Sequence, residues 1–257
     1  MFAPVSSARL TVSRLPRRRG QQGVIIAASL VMVLLLAGCS SDDPSIPSGA
    51  PGVHDSTVPV SESDPNAGLK SGAELKGALL TGKDLPGRYK ATSNLQRDSA
   101  ETYGPPAKTI PPTRASCKEL ESNLWIEAAG SDSATFAQTG FTDSYGSEVD
   151  AEIESYRGTD ARTVMTNLRK LFKICSSFKT TVEGAGVATV KVTTKAGPKV
   201  GDGSISAVVT SPVWEGGTTL IAVRVGSEVV SVLSSSAKNN GGATATKMAK
   251  VMVARLG

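Results

Sequence analysis

The run Val24–Ala37 is fourteen residues without a charge, all apolar except Ser29, and it decides how much of the chain is available to fold. Arg9, Arg14, Arg17, Arg18 and Arg19 precede it, and no acid occurs before Asp42. A basic head, a short apolar run and then small residues read as a secretory signal peptide. Fourteen residues fall short of the roughly 20 that a permanent membrane-spanning helix needs, which disfavours the alternative of an uncleaved anchor. Arg17-Arg18-Arg19 invites a twin-arginine reading. Gly20-Gln21-Gln22 follows it where an apolar residue belongs, so export through the general pathway is the better reading.

Leu36-Ala37-Gly38-Cys39 closes the run and resembles a bacterial lipobox. The resemblance implies diacylglyceryl transfer to the Cys39 thiol, cleavage before Cys39 and often N-acylation, that is, a palmitate-bearing lipoprotein. Cleavage there changes the charge of the chain. The whole sequence has 28 Lys+Arg against 23 Asp+Glu, a formal net charge of +5, and residues 1–38 hold five Arg and no acid. The remainder has 23 of each sign. A sum near zero gives no electrostatic footprint for nucleic acid or for anionic headgroups. Membrane attachment is therefore expected from acyl chains on Cys39, each buried CH₂ contributing about 0.8 kcal/mol.

The domain plan that follows is a signal peptide over 1–38, a lipidated Cys39 with a disordered linker over 39–68, and one domain over 69–257. Residues 40–68 are rich in Pro, Gly, Ser and Asp and poor in large apolar side chains, so they cannot offset their chain entropy by burial. Such a coil would hold the domain some 30 Å from its anchor. The single histidine, His54, falls in it and reads as a solvated linker residue.

Within 69–257, Ser71 caps a short expected helix carrying Leu75, Leu79 and Leu80, which Asp84-Leu85-Pro86-Gly87 ends; Arg88–Thr92 is an expected first strand. Residues 93–113, with Pro105-Pro106 and Pro111-Pro112, read as loop. A helix is expected over 114–126, with Cys117, Leu120 and Leu124 on one face. Strands are expected over 133–141 and 147–156. In the second, Val149, Ala151 and Ile153 alternate with Glu148, Asp150, Glu152 and Glu154, the pattern of a half-buried strand with a solvated acidic face. Lys191 or Arg224 is its expected partner across the sheet. The strongest helix signal covers 160–178: Thr159 is placed as N-cap, and Ala161, Val164, Met165, Leu168, Leu171, Phe172, Cys175 and Phe178 form the apolar stripe. Strands follow over 186–194, 203–211, 218–225 and 228–234, the last two joined by the turn Gly226-Ser227. A closing helix turns Ala245, Met248, Met252 and Leu256 inward. Runs of neighbouring strands with about four helices define an α+β fold with a mostly antiparallel sheet.

Few residues suggest chemistry. One His and three Cys leave almost no room for a zinc, haem or iron–sulfur site, so no metal and no cofactor are expected. Cys117 and Cys175, an even pair in an exported domain, read first as a structural disulfide, with two buried thiols or a redox pair as competing readings. Gly77–Asp84 approaches a P-loop, but Asp84 stands where a hydroxyl must meet Mg²⁺. Ser176–Lys179 and Ser235–Lys238 match S-x-x-K without the companion motifs that chemistry needs. The domain has no His to serve a Ser-His-Asp triad. No catalytic residue is assigned, and the chain is not expected to be an enzyme. Trp214 is either an exposed contact residue or a core-edge residue.

Several motifs together resemble a known group. Leu79-Leu80-Thr81-Gly82-Lys83-Asp84-Leu85-Pro86 is similar to the "LL-x-x-x-D-L-P" opening of actinobacterial lipoproteins. A Cys-bearing helix follows, then Ile174-Cys175-Ser176-Ser177-Phe178, Ile221-Ala222-Val223-Arg224-Val225-Gly226 and an end at Ala254-Arg255-Leu256. The whole resembles the PknH-like extracellular sensor domains of mycobacterial receptor kinases and related lipoproteins. That resemblance implies an α+β fold with a cleft and no established catalysis. Members often carry two disulfides; this domain has cysteines for one. The expected function is a membrane-tethered, extracytoplasmic sensor or ligand-binding module whose partner is an unidentified small ligand or a cell-envelope protein. The alternative is a carrier of lipid-like cargo in an apolar cavity.

Overall fold

Alternation builds the sheet: the pleat sends successive side chains to opposite faces, so Val149, Ala151 and Ile153 face one layer of helices while Asp150, Glu152 and Glu154 face the other. In the computed structural model, which describes residues 64–106, 108–182 and 185–257, nine strands join one sheet. The expected signal peptide, Cys39, His54 and the expected linker up to residue 63 lie outside the described residues. The strands are β1 (Lys90–Ala91), β2 (Arg97–Asp98), β3 (Thr135–Thr142), β4 (Glu148–Ser155), β5 (Ser177–Val182), β6 (Gly186–Lys195), β7 (Gly203–Thr210), β8 (Gly217–Val225) and β9 (Glu228–Ser236). Their order is β1-β3-β4-β9-β8-β7-β6-β5, with β2 also on β3, and every pairing is antiparallel. Helix α2 (Asp160–Ile174) carries the chain from β4 to the far edge, and the meander β5 to β9 brings it back beside β4. Among the described residues no helix is long and apolar enough to cross a membrane.

Each face has its own core. On one, α2 buries Val164, Leu168, Leu171 and Phe172 against Val190, Val209, Leu220 and Val229. On the other, helices α1 (Gly72–Lys76) and α3 (Gly242–Leu256) bury Leu75, Met248 and Met252 against Ile153, Ile221, Val230 and Val232. The mostly antiparallel α+β architecture is the expected one. Ser71 caps α1 in a capping box: its Oγ accepts from the Glu74 N–H, and its own N–H donates to the Glu74 carboxylate at 2.7 Å.

Three local expectations change. Helix α2 stops at Ile174, because Ser177-Phe178-Lys179-Thr180-Thr181-Val182 gains a full antiparallel ladder with β6 that a helix could not offer. Thr159 makes no side-chain cap; its carbonyl accepts from the Arg162 and Thr163 N–H groups instead. Residues 114–126 are not one α-helix. Arg114–Glu121 is a 3₁₀ helix, in which Cys117 and Leu120, three apart, point the same way into the core. Extended Ser122 ends it, accepting from the Leu124 N–H at 3.2 Å.

The C-terminus of α3 is stapled to the loop after α1. Arg255 donates to both carboxylate oxygens of Asp84, at 2.6 and 3.0 Å, and to the Leu79 carbonyl at 2.7 Å. The Thr81 N–H reaches the same carboxylate at 2.7 Å. Two motifs that carry the family resemblance, at opposite ends of the domain, therefore meet. This contact also accounts for Asp84 at the end of the near-P-loop. Arg255 first, and the Thr81 donors with it, hold the Asp84 carboxyl below its ordinary range despite burial. Lys76 does the same for Asp98. At Asp143 burial pushes upward, but Arg88 and the Ser147 and Tyr145 N–H groups outweigh it. Carboxyls held low contribute stability that is present above their unfolded-state values and lost as pH falls through the folded ones. Glu121, raised by burial, works the other way and is relieved by acid. A double-mutant cycle with Asp84→Ala and Arg255→Ala is expected to give a coupling of about 0.5–1 kcal/mol at neutral pH that disappears in acid. Urea titrations at the two pH values measure it; an equal coupling at both contradicts the assignment.

Candidate functional site

The polar residues that interrupt the central strands meet in one place. Register sets Arg97 of β2 opposite Gln138 of β3, Gln138 opposite Glu152 of β4, and Glu152 opposite Ser231 of β9. The row continues as Ala222 and Ile205, so its polar half ends where the apolar core begins. Arg97 Nη2 donates to Gln138 Oε1 at 2.9 Å. Asp150 and Glu154 flank the row along β4. Asp150, Glu152 and Glu154 are 6%, 4% and 3% exposed, so the acidic face expected in solvent is buried. The physical reason is topological. β4 is a central strand between β3 and β9, and segments around Asn123–Trp125 lie over this face. Neither expected cation reaches it: Lys191 is on distant β6, and Arg224 of β8 pairs with Asp202 at 3.0 Å.

Hydrogen bonds satisfy much of this burial. Glu154 accepts from Ser133 Oγ at 3.0 Å and from the Tyr156 hydroxyl. Glu228, also buried, accepts from Ser155 and Ser227 hydroxyls. Burial first, then the Glu154 charge, pushes the Tyr156 phenol well above its ordinary range. The enclosed space between Asn123, Trp125, Gln138, Asp150, Glu152 and Ser231 is about 10 Å³. That is roughly the room one water needs, and the lining supplies polar partners for it. Among the described residues no group of three or more His, Cys, Asp or Glu is placed to hold a metal ion. The row therefore works as a register lock: a one-residue slip of β4 would move three carboxylates into the apolar layer under α3.

The other residues singled out by sequence fall elsewhere. Cys117 and Cys175 are joined in a disulfide, both fully buried, tying the 3₁₀ helix to the end of α2. Trp214 is half-buried and packs on the α2 core, the core-edge reading. Lys238 lies over the Tyr145 ring at 6.0 Å. A second, wider depression is lined by Gly242, Ala243, Thr246, Lys247, Lys250 and Val251. All six belong to α3, and a single helix cannot enclose a ligand. The buried row was visible only as polar interruptions, Gln138 and Ser231, in otherwise apolar strand patterns.

A nine-stranded antiparallel sheet with a helical layer on each face defines a three-layer α+β fold. The crystal structure of the extracellular domain of PknH from Mycobacterium tuberculosis has that fold, at a TM-score of 0.52 and 15% identity over 73% of this chain and 97% of the other. At that identity the likeness establishes the fold. No protein-family model matches the chain. No curated protein matches it.

Proposed function

We propose that this protein is a lipid-anchored, extracytoplasmic sensor or binding module that performs no catalysis. The observation that carries the reading is a fold shared with the extracellular domain of PknH, on a chain whose head ends in Leu36-Ala37-Gly38-Cys39. The buried disulfide agrees with an oxidising compartment. Acyl chains on Cys39 hold the domain at the outer face of the membrane, and its partner is a small ligand or cell-envelope component met at the surface. Surface binding is favoured because the wide depression of about 620 Å³ lies open to solvent along α3 and the polar space beside Trp125 is only about 10 Å³, whereas enclosing small-molecule pockets span roughly 300–1,000 Å³. The same comparison weighs against a carrier of lipid-like cargo.

Labelled palmitate is expected to enter the parent chain and to co-purify with the membrane fraction, and Cys39→Ser to lose both. Identical fractionation and identical intact mass of the two, with no fatty adduct on either, overturns the anchoring.

A further inference from the structure

From residue 39 onward the charges balance in sum but not in space. α3 packs on β8 and β9 and, with α1, covers one face of the sheet; among the described residues no helix lies over the same face of β5 and β6. Register places Lys179 of β5 and Thr189, Lys191, Thr193 and Lys195 of β6 on that face: Lys195 stands opposite Ser206, and Ser206 opposite Ile221 of the α3 core. All five are exposed. Same-face neighbours on a strand are about 6.7 Å apart, so hydroxyl and ammonium groups alternate along β6 as a line of hydrogen-bond donors. β5, β6, β7 and α3 contain no Asp or Glu. Among the described residues none of these three lysines sits in an ion pair. On the far side of β7, α3 adds exposed Lys247 and Lys250.

We propose that the bare β5–β6 face, walled by α3, docks a linear polyanion that carries phosphate groups along its backbone. Charge complementarity selects the sign, and the repeat of donors selects an extended chain. The step in the surface selects a polymer over a flat bilayer. α3 rises about a helix diameter, roughly 10 Å, above the strands. A planar membrane would rest on that crest, while a single chain lies in the trough against Lys191 and Lys195. The proposal rests on the surface-binding reading and names its partner chemistry.

The test uses the full chain in neutral detergent micelles and a fluorescent poly(glycerol phosphate), with dextran as the uncharged control. Acylation of Cys39 is not needed in micelles, so failure here leaves the anchoring reading standing. Neutralising three phosphates predicts about twentyfold weaker binding between 50 and 200 mM salt. Lys191→Glu with Lys195→Glu is expected to weaken binding about tenfold or more, and the corresponding Gln pair to weaken it less. The same charge change on the opposite side of the sheet, Lys170→Glu with Lys173→Glu on the exposed face of α2, is expected to change it by less than about twofold. Circular dichroism checks that each variant is folded. No binding to the polymer, equal loss in both Glu pairs, or retention only by vesicles of anionic lipid each overturns the proposal.

Discussion

Replacing Cys117 and Cys175 together by Ser is expected to lower the melting temperature by about 10 °C. Removing a native disulfide typically costs 2–5 kcal/mol, and each kcal/mol moves the midpoint of a domain this size by about 2–4 °C. The bond spans 58 positions of sequence, so its absence frees a long loop in the unfolded chain. It also fastens a 3₁₀ helix, whose hydrogen bonds are weaker than those of an α-helix, to the end of α2. The two serines would be left in an apolar core beside Leu120 and Leu171 without assured partners, an added cost of the same sign. Differential scanning calorimetry of the parent, oxidised and reduced, and of the double variant measures the effect. A reduced parent that melts with the oxidised one shows that the bond contributes nothing.

The elements that were legible in the sequence are those whose period is decided locally. β3, β4 and β6 to β9 carry apolar alternation or apolar runs bounded by Gly turns, and α2 and α3 carry stripes that the packing uses. β5 was not legible because Phe178 continues the α2 stripe at helical spacing. Only the ladder to β6 shows that the same residue reaches the same core from a strand. β2 is two residues inside a proline-bounded loop and exists through its pairing with β3. The burial of the acidic ladder of β4 is illegible for a related reason. Whether alternate residues face water depends on which strand lies alongside, and β9 is far away in sequence. Cys117 and Cys175 were legible as a pair by compartment and count, while the polar row from Arg97 to Ser231 is a product of register across four strands. The clamp between Asp84 and Arg255 likewise joins two short motifs that only the tertiary fold brings together.

Removing the Trp125 indole is expected to cost about 3–5 kcal/mol, the largest effect of any single truncation at this site. Trp125 is 1% exposed and stacks on Phe172, with ring centroids 6.3 Å apart. It is also a wall of the space occupied on its other side by Asp150 and Glu152. A hole cut in an apolar core stays dry, but one that opens onto carboxylates admits water. Trp125→Ala therefore loses the packing of the ring and also breaks the seal between the polar row and the α2 core. Leu168→Ala, a fully buried truncation deep in the same core, supplies the dry comparison at about 2–5 kcal/mol. Trp125→Phe keeps an aromatic ring against Phe172 and is expected to recover a good part of the loss. Urea denaturation of the three variants at neutral pH, followed by far-ultraviolet circular dichroism because Trp125 is itself one of the two tryptophan fluorophores, measures the differences. If Trp125→Ala and Trp125→Phe unfold at the parent's urea midpoint, the indole is not what separates the buried carboxylates from the core.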